Sequence, residues 1–468
     1  MRISPPKVII NETSPFKDAL FGREEFAQSL THLMRSVSDN LVVFVNAPWG
    51  AGKTTFSLMW RASLRLQKLD VIYFDSYAAD YFDDPFVSFS GEILGLLDKR
   101  FAEGHSLTER REFKTTAVEV AKRLTGLATK IALRAATLGA VESAHLEEFK
   151  ELGSEIASGV SEIGADVIEK KIENYSKEKD ALKNFKHSLA KVAAKVRAEQ
   201  DFPLTIIVDE LDRCRPSFAL ELLERIKHLF DVDNVVFLLL VNREQIESYI
   251  ETVYGGVDAQ AYLLKFGTLF IDLPNEQAES NFVYVKGQSD YCEVLLNHYG
   301  LDTRTPNHRF LVTCIAFFSS QFHLTLREIE RVFAILTLYY GSFSARAERL
   351  AGSGGTMDLV VALLSVVKVK QPSLYYSMRN GGISADEFYK HTNLDLMKVK
   401  GDSFNHQWAK DVVDVCIMSE AELGAATEND DGTKKVRPGL KGIAESFRDR
   451  RSVIPNLCDL LDRFALPA

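Results

Sequence analysis

The stretch Ala47-Pro48-Trp49-Gly50-Ala51-Gly52-Lys53-Thr54, followed by Thr55, has the residue types that grip a phosphate chain. Gly50 and Gly52 let the backbone approach an anion with no Cβ in the way. The amides between Trp49 and Thr55 would then face inward at a helix N-terminus, whose partial positive charge favours phosphate. Lys53 would reach the β- and γ-phosphates, and the Thr54 hydroxyl would ligate Mg²⁺. Trp49, Gly50, Ala51, Gly52, Lys53, Thr54 and Thr55 are therefore the expected nucleotide-binding residues. Ala47 stands where the pattern ordinarily begins with glycine. A glycine-rich turn with a surface lysine is the competing reading, and the flanking sequence weighs against it.

Such a loop requires carboxylates elsewhere in the chain. The apolar run Leu204 to Val208 ends in Asp209 and Glu210. Asp209 would hold the Mg²⁺ shell together with Thr54, and Glu210 would orient and deprotonate the attacking water. A second apolar run, Val235 to Val241, ends at Asn242-Arg243. If its strand lies between those carrying Lys53 and Glu210, Asn242 meets the γ-phosphate or the lytic water. Capping the next helix is the competing role for Asn242. Leu326-Arg327-Glu328-Ile329-Glu330-Arg331 sets two arginines one turn apart at a helix start. One of them, with Arg327 the candidate, would reach back to the nucleotide; a solvated or ion-paired face is the alternative.

These side chains need elements to place them. Leu41 to Val45 reads as the strand entering the loop, and Thr55 to Leu69 as the amphipathic helix leaving it. Val71 to Asp75 reads as a second strand, followed by an acidic aromatic loop (Asp80 to Pro85) and a helix from Phe86 to about Phe101. Pro216 suits a first helical turn, with Phe218, Leu222, Leu223, Ile226 and Leu229 as the buried stripe. The unalternating run Val235 to Val241 suits a strand covered on both faces. Thr268 to Pro274 would close the sheet. In the lead-in, residues 1–40, Phe26, Leu30 and Leu33 fall at helical spacing. That segment packs either beside a nucleotide base or simply against the sheet.

From about 104 to 200 the α/β rhythm gives way to helices. Leu124, Leu127, Ile131, Ala135 and Leu138 recur at helical spacing, as do Leu152, Ile156, Val160, Ile163 and Val167, and then Leu182, Phe185, Leu189, Val192 and Val196. Lys130 and Arg134 interrupt the first series, and Glu155, Glu162 and Asp166 the second, which disfavours a membrane span. A soluble helical insert with a packed face is the expectation, and a partner-binding arm its sharper form. Beyond 276 the pattern is helical, with Ser353-Gly354-Gly355 as a loop and 424–439 as an exposed stretch. The expected division is 1–103 and 201–275 as two parts of a nucleotide-binding domain, 104–200 as the insert, 276–350 as a helical lid and 351–468 as a C-terminal helical domain.

A chain of 468 residues, 46% of them hydrophobic, has ample apolar surface for more than one core. Its net charge of −9 excludes a global basic field that recruits nucleic acid or anionic membrane, while leaving room for a local patch. The five cysteines are scattered with no CxxC pair, which argues against a disulfide framework or zinc site. With no signal-peptide core behind Met1, the expected compartment is the cytoplasm.

Pro48-Trp49-Gly50-Ala51-Gly52-Lys53-Thr54, together with Asp209-Glu210-Leu211-Asp212-Arg213-Cys214-Arg215-Pro216, resembles the two signatures of the KAP family of P-loop NTPases. Val241-Asn242-Arg243-Glu244 does so too, as does Tyr262-Leu263-Leu264-Lys265-Phe266 running into Leu273-Pro274. Leu326 to Arg331 is similar to the family's helical tail signature, and the likeness covers roughly residues 15–340. The resemblance implies a three-layer α/β fold with a parallel sheet of the additional-strand, catalytic-glutamate type. The strand after Asp209-Glu210 would lie next to the phosphate-loop strand, with a helical lid behind. It also implies ATP and Mg²⁺ as ligands, ATPase activity, and an insert that spans a membrane in many members. The family usually has Asp at the position of Glu210 and tends to have Asp at that of Asn242. Arg213 would organise an adjacent subunit or the acidic cluster. Bacterial members often act in anti-phage defence beside effector proteins. The expected function is thus an ATP-hydrolysing switch on an effector or sensor protein or on self-assembly; an ATP-gated oligomeric scaffold with little turnover is the alternative. Nucleic-acid processing has weak support, since no nuclease constellation is visible. The preference for ATP over GTP rests on the resemblance alone.

Overall fold

Five apolar runs pair in parallel as β1 (Leu41–Asn46), β2 (Val71–Asp75), β3 (Leu204–Asp209), β4 (Val235–Val241) and β5 (Leu269–Asp272), in the order β2-β3-β4-β1-β5. This is a computed structural model that describes residues 3–81, 84–102, 107–124, 165–275, 286–301, 307–342, 355–392, 406–427, 437–447 and 449–462. β4 lies between β1 and β3, the position the resemblance implies. The register aligns the carboxyl ends, with Asn46 opposite Val241 and Asp75 opposite Asp209. Loops leaving β1 and β3 therefore emerge along one edge of the sheet.

Every residue of β3 and β4 is buried, because helices cover both faces. Alternate strand residues sort between them. Val42, Phe44, Ile206, Val208, Phe237 and Leu239 pack with the helices Pro85–Ala102, Leu107–Leu124, Ala165–Gln200 and Pro216–Leu229. Val43, Val45, Ile207, Leu238 and Leu240 pack with Arg23–Ser36 and Lys53–Leu66. The result is a three-layer α/β fold. An aromatic cluster ties the first face together, with ring centroids 4.9 Å apart for Phe74 and Phe89, 5.1 Å for Phe86 and Phe185, and 5.4 Å for Phe113 and Phe185.

The helix Ala165–Gln200 buries Phe185, Leu189, Val192 and Val196 in that cluster, with Leu182 at its margin. The turns of the expected insert from Ala181 to Val196 are thus built into the core. Its C-terminal end is anchored: Arg100 pairs with both Asp70 and Glu199, and the Gln200 side chain accepts the Asp70 amide at 2.9 Å. Leu127, Ile131, Ala135, Leu138, Leu152, Ile156, Val160 and Ile163 lie outside the described residues, as do the side chains of Leu124 and Val167. No helix among the described residues is long and apolar enough to cross a membrane.

Three local expectations shift. The first helix buries Ala27, Leu30 and Met34, leaving Phe26 and Leu33 half-buried beside the stripe. The helix after the phosphate loop begins at Lys53, two residues earlier than its apolar pattern, because the glycine turn feeds straight into it. Residues up to Thr427 are helical, in a helix Glu420–Thr427 whose start the Ser419 and Glu422 side chains cap reciprocally, with the Ser419 amide donating to Glu422 at 2.7 Å. Beyond β5 the described elements are all helices, and those from Lys286–Tyr299 to Arg450–Asp462, Glu420–Thr427 excepted, share one apolar cluster around Leu311, Phe333, Leu364, Val412 and Leu457.

Candidate nucleotide site

The Ala47 amide extends the β1–β4 pairing by donating to the Val241 carbonyl at 3.0 Å, and the chain then turns into the loop. Gly50 and Gly52 sit at φ +83° and +87°, backbone that disfavours any side chain. A Cβ on Gly50 would lie 2.7 Å from the Arg327 Cβ, so the helix Leu326–Ser342 rests directly on the loop. The Arg327 amide donates to the Gly50 carbonyl at 3.3 Å. A capping box fixes that helix start: the Glu328 carboxylate accepts the Thr325 amide at 2.7 Å, and the Thr325 hydroxyl accepts the Glu328 amide at 3.3 Å.

Lys53 is buried, its ammonium donating to the Ala47 carbonyl at 2.8 Å and lying 3.2 Å from Asp212 Oδ2. Burial lowers its pKa, while Asp212 and Asp209 act in the opposite sense. Asp209, wholly buried at the end of β3, accepts the Ser57 hydroxyl at 2.9 Å, the Tyr73 hydroxyl at 3.0 Å and the Glu210 amide at 2.8 Å. Burial pushes its carboxyl above the usual range, and these donors hold it back. Glu210 follows in the left-handed region at φ +59°, a strained position for a side-chain-bearing residue. Its carboxylate pairs with Arg213 at 2.8 Å and takes a long contact from the Thr54 hydroxyl at 3.4 Å. Burial raises the Glu210 pKa and Arg213 opposes the rise.

Trp49 through Thr55, with Asp209, Glu210, Arg213 and Arg327, line one cavity of about 590 Å³. That is the size range of a small-molecule site. Arg327 is exposed on its rim, with no ion pair among the described residues. Asn242 ends the intervening strand as expected but does not line the cavity. It occupies the N-cap position of the helix Arg243–Tyr254 without a side-chain cap bond, and its backbone amide donates to Asp212 at 2.7 Å.

Four further side chains complete the site. Asp212 accepts the Trp49 indole N–H at 3.0 Å besides holding Lys53. Tyr73 and Ser57 hold Asp209. Arg23 is buried, donates to the Ala51 carbonyl at 3.0 Å, and is pulled down to about 9 by desolvation. Asp212 had a visible signal, since it sits in the acidic tract after β3. For the others the convergence arises only when β2, β3 and the lead-in are laid beside the loop. The cavity lining also includes apolar side chains, among them Ile10 and Phe21 of the lead-in with Met59, Val294 and Leu326.

The donor set fits a magnesium-bound phosphate chain. The loop offers amides at two glycines with no Cβ, a lysine and a hydroxyl, and the end of β3 adds two adjacent carboxylates.

No curated protein matches the chain. Among solved structures, the Aeropyrum pernix ORC2 protein in its ADPNP-ADP complexes is 12% identical over 93% of this chain and 94% of that one, at a TM-score of 0.32, too low to support any inference about this chain. The family model described as KAP family P-loop domain matches residues 23–342, and that span is more than half of the chain. On that match, with β4 between the strands that present Lys53 and Glu210, the chain belongs to the KAP family of P-loop NTPases.

Proposed function

We propose that the protein binds and hydrolyses ATP and uses the cycle as a switch on a partner protein or on its own assembly. The observation that carries this is the meeting of Thr54, Asp209 and Glu210 at the phosphate loop, with the Leu326–Ser342 helix seated on Gly50. Lys53 and the loop amides would hold the β- and γ-phosphates, and Thr54 and Asp209 would hold Mg²⁺. That ion would supply positive charge to neutralise the phosphate chain there. Glu210 would accept a proton from water as its oxygen forms the new bond to the γ-phosphorus and the bond to the β–γ bridging oxygen breaks. The base would lie among the apolar lining residues, which include Ile10 and Phe21 of the lead-in and Leu326. Arg327 on the rim and the helix contact at Gly50 would report closure to the C-terminal helices. The resemblance to bacterial members that act in anti-phage defence supports the reading that the switch would act there, beside an effector protein.

A scaffold that assembles on ATP with little turnover is the second reading, and the pairing of Glu210 with Arg213 favours it. Mass photometry with and without Mg·ATP, with phosphate release followed on the same samples, separates the two. Assembly with turnover that disappears in Lys53→Ala supports the switch; assembly without turnover supports the scaffold. Absence of any nucleotide binding overturns both.

A further inference from the structure

Asp212 draws three elements onto a single oxygen. Its Oδ2 accepts the Trp49 indole N–H from the loop at 3.0 Å and the Asn242 amide from the start of the next helix at 2.7 Å, and it pairs with Lys53 at 3.2 Å. The other oxygen is buried with no partner, and the residue lines the cavity. Its backbone is fixed as well, the carbonyl taking the Tyr249 hydroxyl at 2.9 Å. A carboxylate thus holds the ammonium that a phosphate chain requires.

We propose that Asp212 is a positioning residue that stands in for phosphate: it retains Lys53 until a nucleotide's phosphates take the lysine over, and release of that pair is relayed through the shared oxygen to Trp49 and Asn242. This rests on the nucleotide reading above. Binding must separate a pair whose side chains are 8% and 1% exposed, leaving Asp212 buried beside arriving negative charge. Asp212 therefore opposes binding and converts occupancy into movement. Trp49 is 44% exposed, so the relay ends at the surface.

The test uses the full chain, calorimetric titration with Mg·ADP, and the indole ¹⁵N resonance of Trp49, assigned by its loss in Trp49→Phe. Asp212→Asn is expected to bind Mg·ADP about tenfold more tightly. Its nucleotide-free Trp49 resonance should already sit near the position that the parent chain reaches only when loaded. A residue that merely braces the loop predicts weaker binding instead. Unchanged or weaker binding by a folded Asp212→Asn chain overturns the proposal. Should that variant not fold, the parent chain still decides: a Trp49 indole N–H whose resonance and exchange rate stay put while calorimetry shows binding overturns it, and one that exchanges faster with solvent when loaded, as loosening from Asp212 requires, supports it. No heat of binding in the parent chain overturns the nucleotide reading itself, a result distinct from the others.

Discussion

The Glu210 carboxylate lies 2.8 Å from the Arg213 guanidinium, on backbone turned left-handed at φ +59°. Arg213 holds down a pKa that burial raises. A base must be ionised to act, so ATP turnover should fall with acid at a pH above the ordinary glutamate range. Arg213→Gln removes the opposing charge and should move that acid limb higher still. Glu210→Gln should lower turnover by about 10²- to 10⁴-fold while nucleotide binding persists. Stopped-flow phosphate release across pH, with calorimetry alongside, reads both; unchanged turnover in Glu210→Gln would remove that residue from the chemistry.

Tyr73 and Ser57 both donate to Asp209 Oδ2. Tyr73→Phe keeps the ring, which lies beneath the Arg61 guanidinium at 4.9 Å, and removes only the hydroxyl. Mg²⁺ should then be needed at about 10- to 100-fold higher concentration to support nucleotide binding. Titrating Mg²⁺ against a fluorescent ATP analogue measures this, and an unaltered midpoint would show that the hydroxyl does not orient Asp209.

Gly50 and Gly52 share a left-handed backbone but differ in surroundings. An added Cβ would meet Arg327 Cβ at 2.7 Å from Gly50, and only Leu326 Cδ1 at 3.5 Å from Gly52. Gly52→Ala should cost about 1 kcal/mol of backbone strain. Gly50→Ala should cost that and also lift the Leu326–Ser342 helix from the loop. Hydrogen exchange at the Arg327 amide distinguishes them, with faster exchange expected in Gly50→Ala alone.

Asp358 belongs to the C-terminal helices, where burial raises its pKa to about 6 and a Tyr340 hydroxyl at 3.3 Å partly offsets the rise. A folded-state pKa above the unfolded one contributes stability at low pH that is lost as pH rises through about 6. Asp358→Asn should therefore melt higher than the parent chain at pH 8. The advantage should shrink below pH about 6 and vanish near pH 4. An equal difference at both ends of that range would exclude Asp358 as its source.

The strands and the phosphate loop were legible because each is a continuous run with its own period or turn chemistry. Val235 to Val241 announces a doubly covered strand by lacking alternation, and Gly50 and Gly52 announce left-handed backbone. The place of β4 beside β1 came from resemblance, since that pairing leaves no mark in either run. The support around Asp209 was hidden for the same reason. Tyr73 and Asp209 are 136 residues apart, and only the β2–β3 pairing brings them together. Asn242 illustrates the opposite limit, because one position at a strand end serves equally as sensor or helix cap until the cavity is seen.

The helix Ala165–Gln200 runs for 36 residues, hence about 54 Å, and its anchored end leads within a few residues into β3. With Phe185, Leu189, Val192 and Val196 packed in the aromatic cluster, a rod of that length cannot pivot at Gln200 without drawing those side chains along. It is instead a stiff strut, which carries any shift of that cluster undiminished toward its Ala165 end.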